Sequence, residues 1–361
     1  MQRIVRRTPR TGRGNRRLVE LIADVVHVAG FVVQVAGFAC PLAGALTLHA
    51  SFPVRSLMSA SFGTWIGSGA AGVWQPRIDP ALVDDPRFPA LLAAVVSGPG
   101  VSFADAVVLV TGASDPNSIG YAIARNFAQG GAKVIITGSR DLPKITATAE
   151  QLVREAGAGS VLPAQVNQGD FAELDQLLEH LKGQNLALTH LYPFAAINHA
   201  QLFVGIKPED YLRVFSVNVF GVYHLCAQHA RRAPRNTPWY VCVPLSPNDG
   251  RLQGSGLYPA TKQALLPIVV QGQNEVGDRR GGTYVGMSIA WTRSALMSAL
   301  DAGVEGAKAQ GLKVYETRDT ADVATLLGTP GAQVLKGTVV DAAGGFGKVD
   351  PKNMAKVFGA H

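Results

Sequence analysis

The chain has 361 residues, 47% of them hydrophobic and 16% charged, a balance that supplies a sizeable core and excludes a disordered or fibrous chain. Cys40, Cys226 and Cys242 fall at no metal-ligand or disulfide spacing, and the eight histidines form no HExxH-like cluster. That excludes a cysteine framework and a metal centre and points to a reducing compartment. The net charge of +7 is accounted for by seven arginines within residues 1–17 (Arg3, Arg6, Arg7, Arg10, Arg13, Arg16 and Arg17), so the rest of the chain has no basic excess and no nucleic-acid partner is expected.

After this basic head, residues 25–50 contain no charge, and beyond Arg55 a second uncharged stretch, rich in Gly and Ser, runs to Pro76. A basic head before an apolar run has the form of a signal or anchor segment, and about 20 apolar residues suffice to cross a bilayer. His27, Gln34, Pro41 and several glycines dilute the run. Residues 1–100 are therefore read as an extension that is flexible or packs on the main domain. Membrane contact through residues 25–76 is the alternative, and a cytoplasmic location is the expectation. The Pro- and Asp-rich residues 74–90 mark the boundary region. This places a main domain over 101–350 and a tail over 351–361.

From Ala106 the texture alternates. Residues 106–112 form a short apolar run ending in glycine, which reads as a buried parallel strand. Further strands are predicted at 133–140, 161–166, 189–194, 239–243, 283–290 and 337–341. Helices are predicted at 118–129, 144–156, 171–182, 208–231, 258–274 and 319–327. This alternation implies an α/β, doubly wound parallel sheet of Rossmann-like type with an N-terminal extension.

The turn 111–120 joins the first strand to the first helix. Gly112 permits a sharp turn, and Gly120 permits close approach of the helix to the sheet or to a phosphate at its N-terminus. It is not a clean GxGxxG, and by itself a glycine-bearing strand-to-helix turn is common in ligand-free α/β proteins. Where a carboxylate for an NAD ribose is expected, after the second strand, stand Ser139 and Arg140. A hydroxyl and a guanidinium suit a 2′-phosphate and favour NADP.

In the second half, Ser246 comes just after a strand's carboxyl end, where sites lie in doubly wound sheets. Tyr258 and Lys262 stand four apart at the start of a helix, hence on one face. A tyrosine is a weak acid, with a pKa of about 10, and a neighbouring ammonium is expected to lower it. Ser246 suits the carbonyl oxygen on which charge grows.

Together, TG…SIG, Asn218, Ser246, Tyr258 and Lys262 resemble the short-chain dehydrogenase/reductase family. The strings VNQG at 166–169, PFAAI at 193–197, VPLSPNDG at 243–250, GLYPATK at 256–262 and AWTRSALMS at 290–298 are more similar to the ketoreductase domain of fungal and actinobacterial type I fatty acid synthases. The resemblance covers roughly residues 106–343 and implies NADPH-dependent reduction of a 3-oxoacyl thioester, free or on an acyl carrier protein. It assigns catalysis to Tyr258 as proton donor, Ser246 as carbonyl partner, Lys262 as the group lowering the phenol, and Asn218 as holder of a relay water. It assigns cofactor contacts to Gly112, Ser118, Ile119, Gly120, Ser139, Arg140, Asn167, Ala195, Tyr258, Lys262 and Thr292. Residues 294–312 would form a substrate lid, and a homo-oligomer is implied. The spacing from Gly112 to Ser118 matches enoyl reductases of the superfamily, but their lysine lies seven after the tyrosine, where this chain has Leu265. Reduction of another carbonyl (polyketide, steroid or xenobiotic), enoyl reduction, and a non-catalytic NADPH-binding scaffold remain the alternatives.

Overall fold

The structure is a computed structural model that describes residues 59–235, 237–297, 303–346 and 349, all within one compact unit, Leu57–His361. Strands come in chain order as β1 Ser61–Phe62, β2 Ile66–Ala70, β3 Val107–Thr111, β4 Lys133–Gly138, β5 Gly159–Gln165, β6 His190–Pro193, β7 Trp239–Leu245, β8 Gly282–Ile289, β9 Thr292–Arg293, β10 Tyr315–Glu316 and β11 Val339–Ala342. Helices are α1 Phe88–Val96, α2 Ile119–Gln129, α3 Leu142–Ala156, α4 Phe171–Gly183, α5 Pro208–Phe215, α6 Gly221–Arg232, α7 Tyr258–Gln263, α8 Leu266–Gly272, α9 Val304–Ala309 and α10 Thr317–Leu326.

The main sheet runs β1-β5-β4-β3-β6-β7-β8-β11, with β2 also on β5. From β5 to β11 every pairing is parallel. The central strands β3, β6 and β7 are largely apolar because both faces are covered. In β3, Val108 and Val110 enter the core that includes Phe127, Tyr192 and Leu326, whereas Leu109 enters the opposite core with Leu177, Leu225 and Val269. The side-chain period of two thus feeds two cores from one strand. The chain winds outward from β3 through β4 to β5, then crosses back to β6. That reversal opens a crevice at the carboxyl ends of β3 and β6, the place where such sheets bind ligands.

The extension contributes to this body. β1 and β2 pair antiparallel with β5, and Trp74 and Phe88 are buried in the core that holds Phe103 and Phe127. Trp74 and Val101 exchange backbone bonds at 2.9 and 2.8 Å. Residues 61–70 therefore lie along the sheet edge, and residues 25–58 of the apolar stretch lie outside the described residues. Among the described residues no helix is long and apolar enough to cross a membrane.

Two predicted helices differ in detail. The one expected over 258–274 is broken into α7 and α8, because Pro267 has no N–H to continue the ladder. The Ala264 carbonyl at the break accepts from Tyr223 Oη at 3.2 Å. The one expected over 208–231 carries a π-turn, Ser216–Phe220, between α5 and α6. Such turns are frequent at functional sites, and a second one, Gln273–Gly277, follows α8.

Candidate active site

The crevice begins where β3 ends. Gly112 has φ +68°, and a Cβ there would lie 2.7 Å from the Ala195 Cα, so only glycine lets the two strand-end loops meet. A Cβ on Gly120 would stand 2.8 Å from the Gly112 carbonyl oxygen, which brings α2 against the turn. The turn is set by Asp115, whose carboxylate accepts from Asn117 N at 2.9 Å and whose carbonyl accepts from Ser118 N at 2.9 Å. Ser118 is extended and caps α2, its Oγ accepting from Tyr121 N at 3.0 Å. The first amides, of Ile119 and Gly120, have no acceptor within the helix and carry its positive end. Backbone approach and helix polarity together fit a phosphate-bearing ligand laid across the strand ends. At the end of β4, Ser139 and Arg140 are exposed, and Arg140 Nη2 lies 2.9 Å from Asp115 Oδ2.

Asn167, exposed after β5, is tied locally: its amide donates to Glu173 Oε2 at 2.7 Å, and its side chain accepts from Gly169 N at 3.0 Å. Its neighbour Gln168 belongs to no sequence motif, yet it organises the crevice. Gln168 is buried and accepts from Thr111 Oγ1, while its Nε2 donates to Ala195 O at 2.9 Å and to Val217 O at 2.7 Å. One amide thus joins β3, the loop after β6 and the π-turn. Thr111 itself accepts from Ala195 N at 3.0 Å.

The π-turn delivers Asn218, which is 1% exposed. Its Oδ1 accepts from Ile197 N at 2.7 Å, and its Nδ2 donates to Ile197 O at 3.0 Å and to Thr261 Oγ1 at 3.1 Å. Both amide hydrogens are taken up by protein groups. The side chain therefore fixes Ile197 and α7.

α7 presents the other two groups. Lys262, 4% exposed, donates from Nζ to Pro244 O at 3.0 Å, at the end of β7, and that ammonium lies 5.6 Å from the centre of the Tyr258 ring. Burial pulls Lys262 down to about 8 and pushes Tyr258 up to about 12. Burial alone accounts for the upward shift of the phenol, and the ammonium donates to the Pro244 carbonyl. Ser246 lies just past β7, and its Oγ accepts from Asn248 N at 3.2 Å, which leaves the hydroxyl proton for an oxygen brought to it. Gln263 donates to Ser246 O at 3.2 Å and so links the serine to α7.

Thr292 opens β9, is buried, and shares its hydroxyl with Ala290 O at 3.1 Å and Thr320 Oγ1 at 2.8 Å. The segment expected as a lid starts as a bridge. Ala295 N donates to Asn117 O at 3.0 Å, and Leu296 O accepts from Asn198 Nδ2 at 3.3 Å. Residues 298–302 lie outside the described residues, and α9 packs through Val304 and Ala307 on Trp291, Leu312 and Phe346.

Residues 112–347 match the family model described as enoyl-(acyl carrier protein) reductase. The chain is 35% identical over 240 residues to the fatty acid synthase alpha subunit stcJ of Emericella nidulans, an alignment covering 64% of this chain and 15% of that subunit. To the fatty acid synthase subunit alpha of Saccharomyces cerevisiae it is 29% identical over 235 residues, covering 62% and 12%. The chain thus spans less than a sixth of the length of these relatives. A short-chain dehydrogenase from Burkholderia cenocepacia, solved in complex with NADP, is similar with a TM-score of 0.60 at 21% identity, covering 68% of this chain and 98% of that one. The angucycline C-6 ketoreductase LanV, solved with bound NADP, gives 0.59 at 23% identity, covering 68% and 96%. With two thirds of its length matched by the family model and its sheet superposing on these structures, the chain belongs to the short-chain dehydrogenase/reductase family.

Proposed function

We propose that this chain reduces a carbonyl with NADPH, and that its substrate is a 3-oxoacyl thioester, free or on an acyl carrier protein. The observation that carries the reading is the buried pair on α7. Lys262 sits four residues after Tyr258 with its ammonium in the site, while Leu265, at the position of the enoyl-reductase lysine, is buried in the hydrophobic core. NADPH, when bound, supplies the hydride. Gly112, Ser118, Ile119 and Gly120 would hold its pyrophosphate at the start of α2, Ser139 and Arg140 its 2′-phosphate, and Asn167 its adenine. Ala195, Thr292, Tyr258 and Lys262 would hold the nicotinamide end. Ser246 donates to the carbonyl oxygen, and Tyr258 Oη gives its proton to the same oxygen as negative charge develops there. With its pKa raised to about 12, Tyr258 is fully protonated at neutral pH, the state a proton donor needs. Lys262 would hold the ribose, and Asn218 would hold the water through which a proton returns to Tyr258. A cytoplasmic setting and a homo-oligomer belong to the same proposal, the latter supported by the apolar residues Leu266 and Val270 that α8 exposes.

The test monitors NADPH absorbance with acetoacetyl-CoA and, separately, crotonyl-CoA, in the native chain and in Tyr258→Phe. The expected result is turnover of acetoacetyl-CoA only, falling by about 10²–10⁴-fold without the phenolic hydroxyl, the usual contribution of a positioned general acid. Reduction of crotonyl-CoA in its place would establish the enoyl activity that the matched family model describes. Binding of NADPH with no carbonyl reduced would establish the scaffold reading.

A further inference from the structure

His199 lies in the loop after β6, outside every motif above, and is 7% exposed. Its two ring nitrogens face different elements. Nδ1 accepts from the backbone N–H of Leu257 at 3.2 Å, and Nε2 lies 3.2 Å from Asp210 Oδ2 on α5. An acceptor at Nδ1 places the ring proton on Nε2, from which it donates to the carboxylate. Asp210 is anchored in turn: Oδ1 accepts from Arg213 at 2.9 Å, Oδ2 from Lys207 N at 3.2 Å, and its pKa is held down at about 2, chiefly by Arg213. Leu257 is the residue immediately before Tyr258.

The fit is close. Gly256 has φ +54°, and a Cβ there would stand 2.3 Å from His199 Nδ1 and 2.2 Å from its carbonyl oxygen. The neighbouring residues are stitched in the same sense, with Gln201 N donating to Gly254 O at 2.8 Å. The amide of Leu257 lies in the turn before α7, where the helix supplies no acceptor of its own. His199 supplies it.

We infer that His199 is a positioning residue: held by Asp210, it fixes the Leu257 amide and thereby the height and direction at which α7 presents the Tyr258 hydroxyl. This rests on the reading of Tyr258 as proton donor. It adds a requirement that the YxxxK spacing does not contain, since a misplacement of about 1 Å at a reacting group can cost about 10²-fold in rate.

Two substitutions separate positioning from bulk. In His199→Asn the amide oxygen occupies the place of Nδ1 and can accept from Leu257 N–H, whereas His199→Leu fills the space without an acceptor. Hydrogen exchange of the 254–258 peptide is measured by mass spectrometry, together with kcat and KM for acetoacetyl-CoA and NADPH. The Leu variant is expected to exchange at least tenfold faster at Leu257. It should also lose about 10–100-fold in kcat with KM for NADPH within threefold. The Asn variant should stay within fivefold of the native chain in both exchange and kcat. Equal loss in the two variants, or unchanged exchange in the Leu variant, would overturn the inference. Because exchange is read without turnover, a native chain that reduces nothing refutes the proposed activity while the brace itself is still decided.

Discussion

Lys262 meets two opposed physical demands at one atom. The proposed role of holding a ribose and feeding a proton relay requires the charged form, yet Lys262 is buried, and burial pulls it down to about 8. Tyr258, raised to about 12, stays protonated through the same range. For reduction, the competent form of the free enzyme therefore has Lys262 charged and Tyr258 protonated. That form predominates below about pH 7 and is lost as pH rises through the lysine value. kcat/KM, which reports the free enzyme, should be level from pH 6 to 7 and fall tenfold per pH unit above about 8. Lys262→Met should abolish that limb and lower kcat/KM by about 10²-fold or more. A native profile level to pH 9.5 would show that the ammonium does not control the rate.

At the scale of elements, the site depends on three segments brought into register by Gln168. It joins Thr111 at the end of β3, Ala195 after β6 and Val217 in the π-turn. Gln168→Leu roughly keeps the volume and leaves one buried and two partly buried polar groups without their partner. At about 1–3 kcal/mol for each unsatisfied group, partly relieved by relaxation, the expected loss is about 3 kcal/mol. A urea midpoint that falls accordingly, with KM for NADPH raised, would verify this; an unchanged midpoint would mean that other contacts hold the loops. The same residue shows where sequence reading stops. The strand expected over 133–140 runs over Lys133–Gly138 as β4, because a strand buried on both faces writes itself as an apolar run. The placement of Ser246 just past β7 and of Tyr258 and Lys262 on α7 is legible, because a strand end and a four-residue spacing are local patterns. Gln168 and His199 act across separations of 57 and 58 residues, and no local pattern records such a contact. The π-turn is illegible for a related reason: its residues continue the helical pattern on either side. The break at Pro267 is written in the sequence, in a residue that cannot continue the helical ladder, although the periodicity around it reads as one helix.

At the scale of the whole molecule, the question is where the folded body starts. Composition separates residues 1–100 from the remainder of the chain, because the Ser- and Gly-rich β1 and β2 have no apolar alternation and exist only as partners of β5. Yet Trp74, Phe88, Leu91 and Leu92 are all buried in the same core as Phe103 and Phe127. Burial of each large apolar side chain contributes about 1.5–3 kcal/mol, so these four together match a sizeable part of the 5–15 kcal/mol that typically stabilises a domain. The contribution reaches the β9–β10 pair as well. The carbonyls of Ala81 and Leu82 accept from Lys313 Nζ and Tyr315 Oη, and Tyr315 pairs with Thr292 between β9 and β10. A chain beginning at residue 101 should therefore lose cooperative thermal unfolding, and it should scatter light on warming because the outer edge of β5 is left unpaired. A chain beginning at residue 59 retains β1, β2, Trp74 and α1 and should unfold in a single transition. If the 101–361 chain instead melts within a few degrees of the 59–361 chain, the extension only lies on the surface. If it does not, the domain begins nearly 50 residues before its first parallel strand, and its early residues hold in place the β9–β10 strand pair.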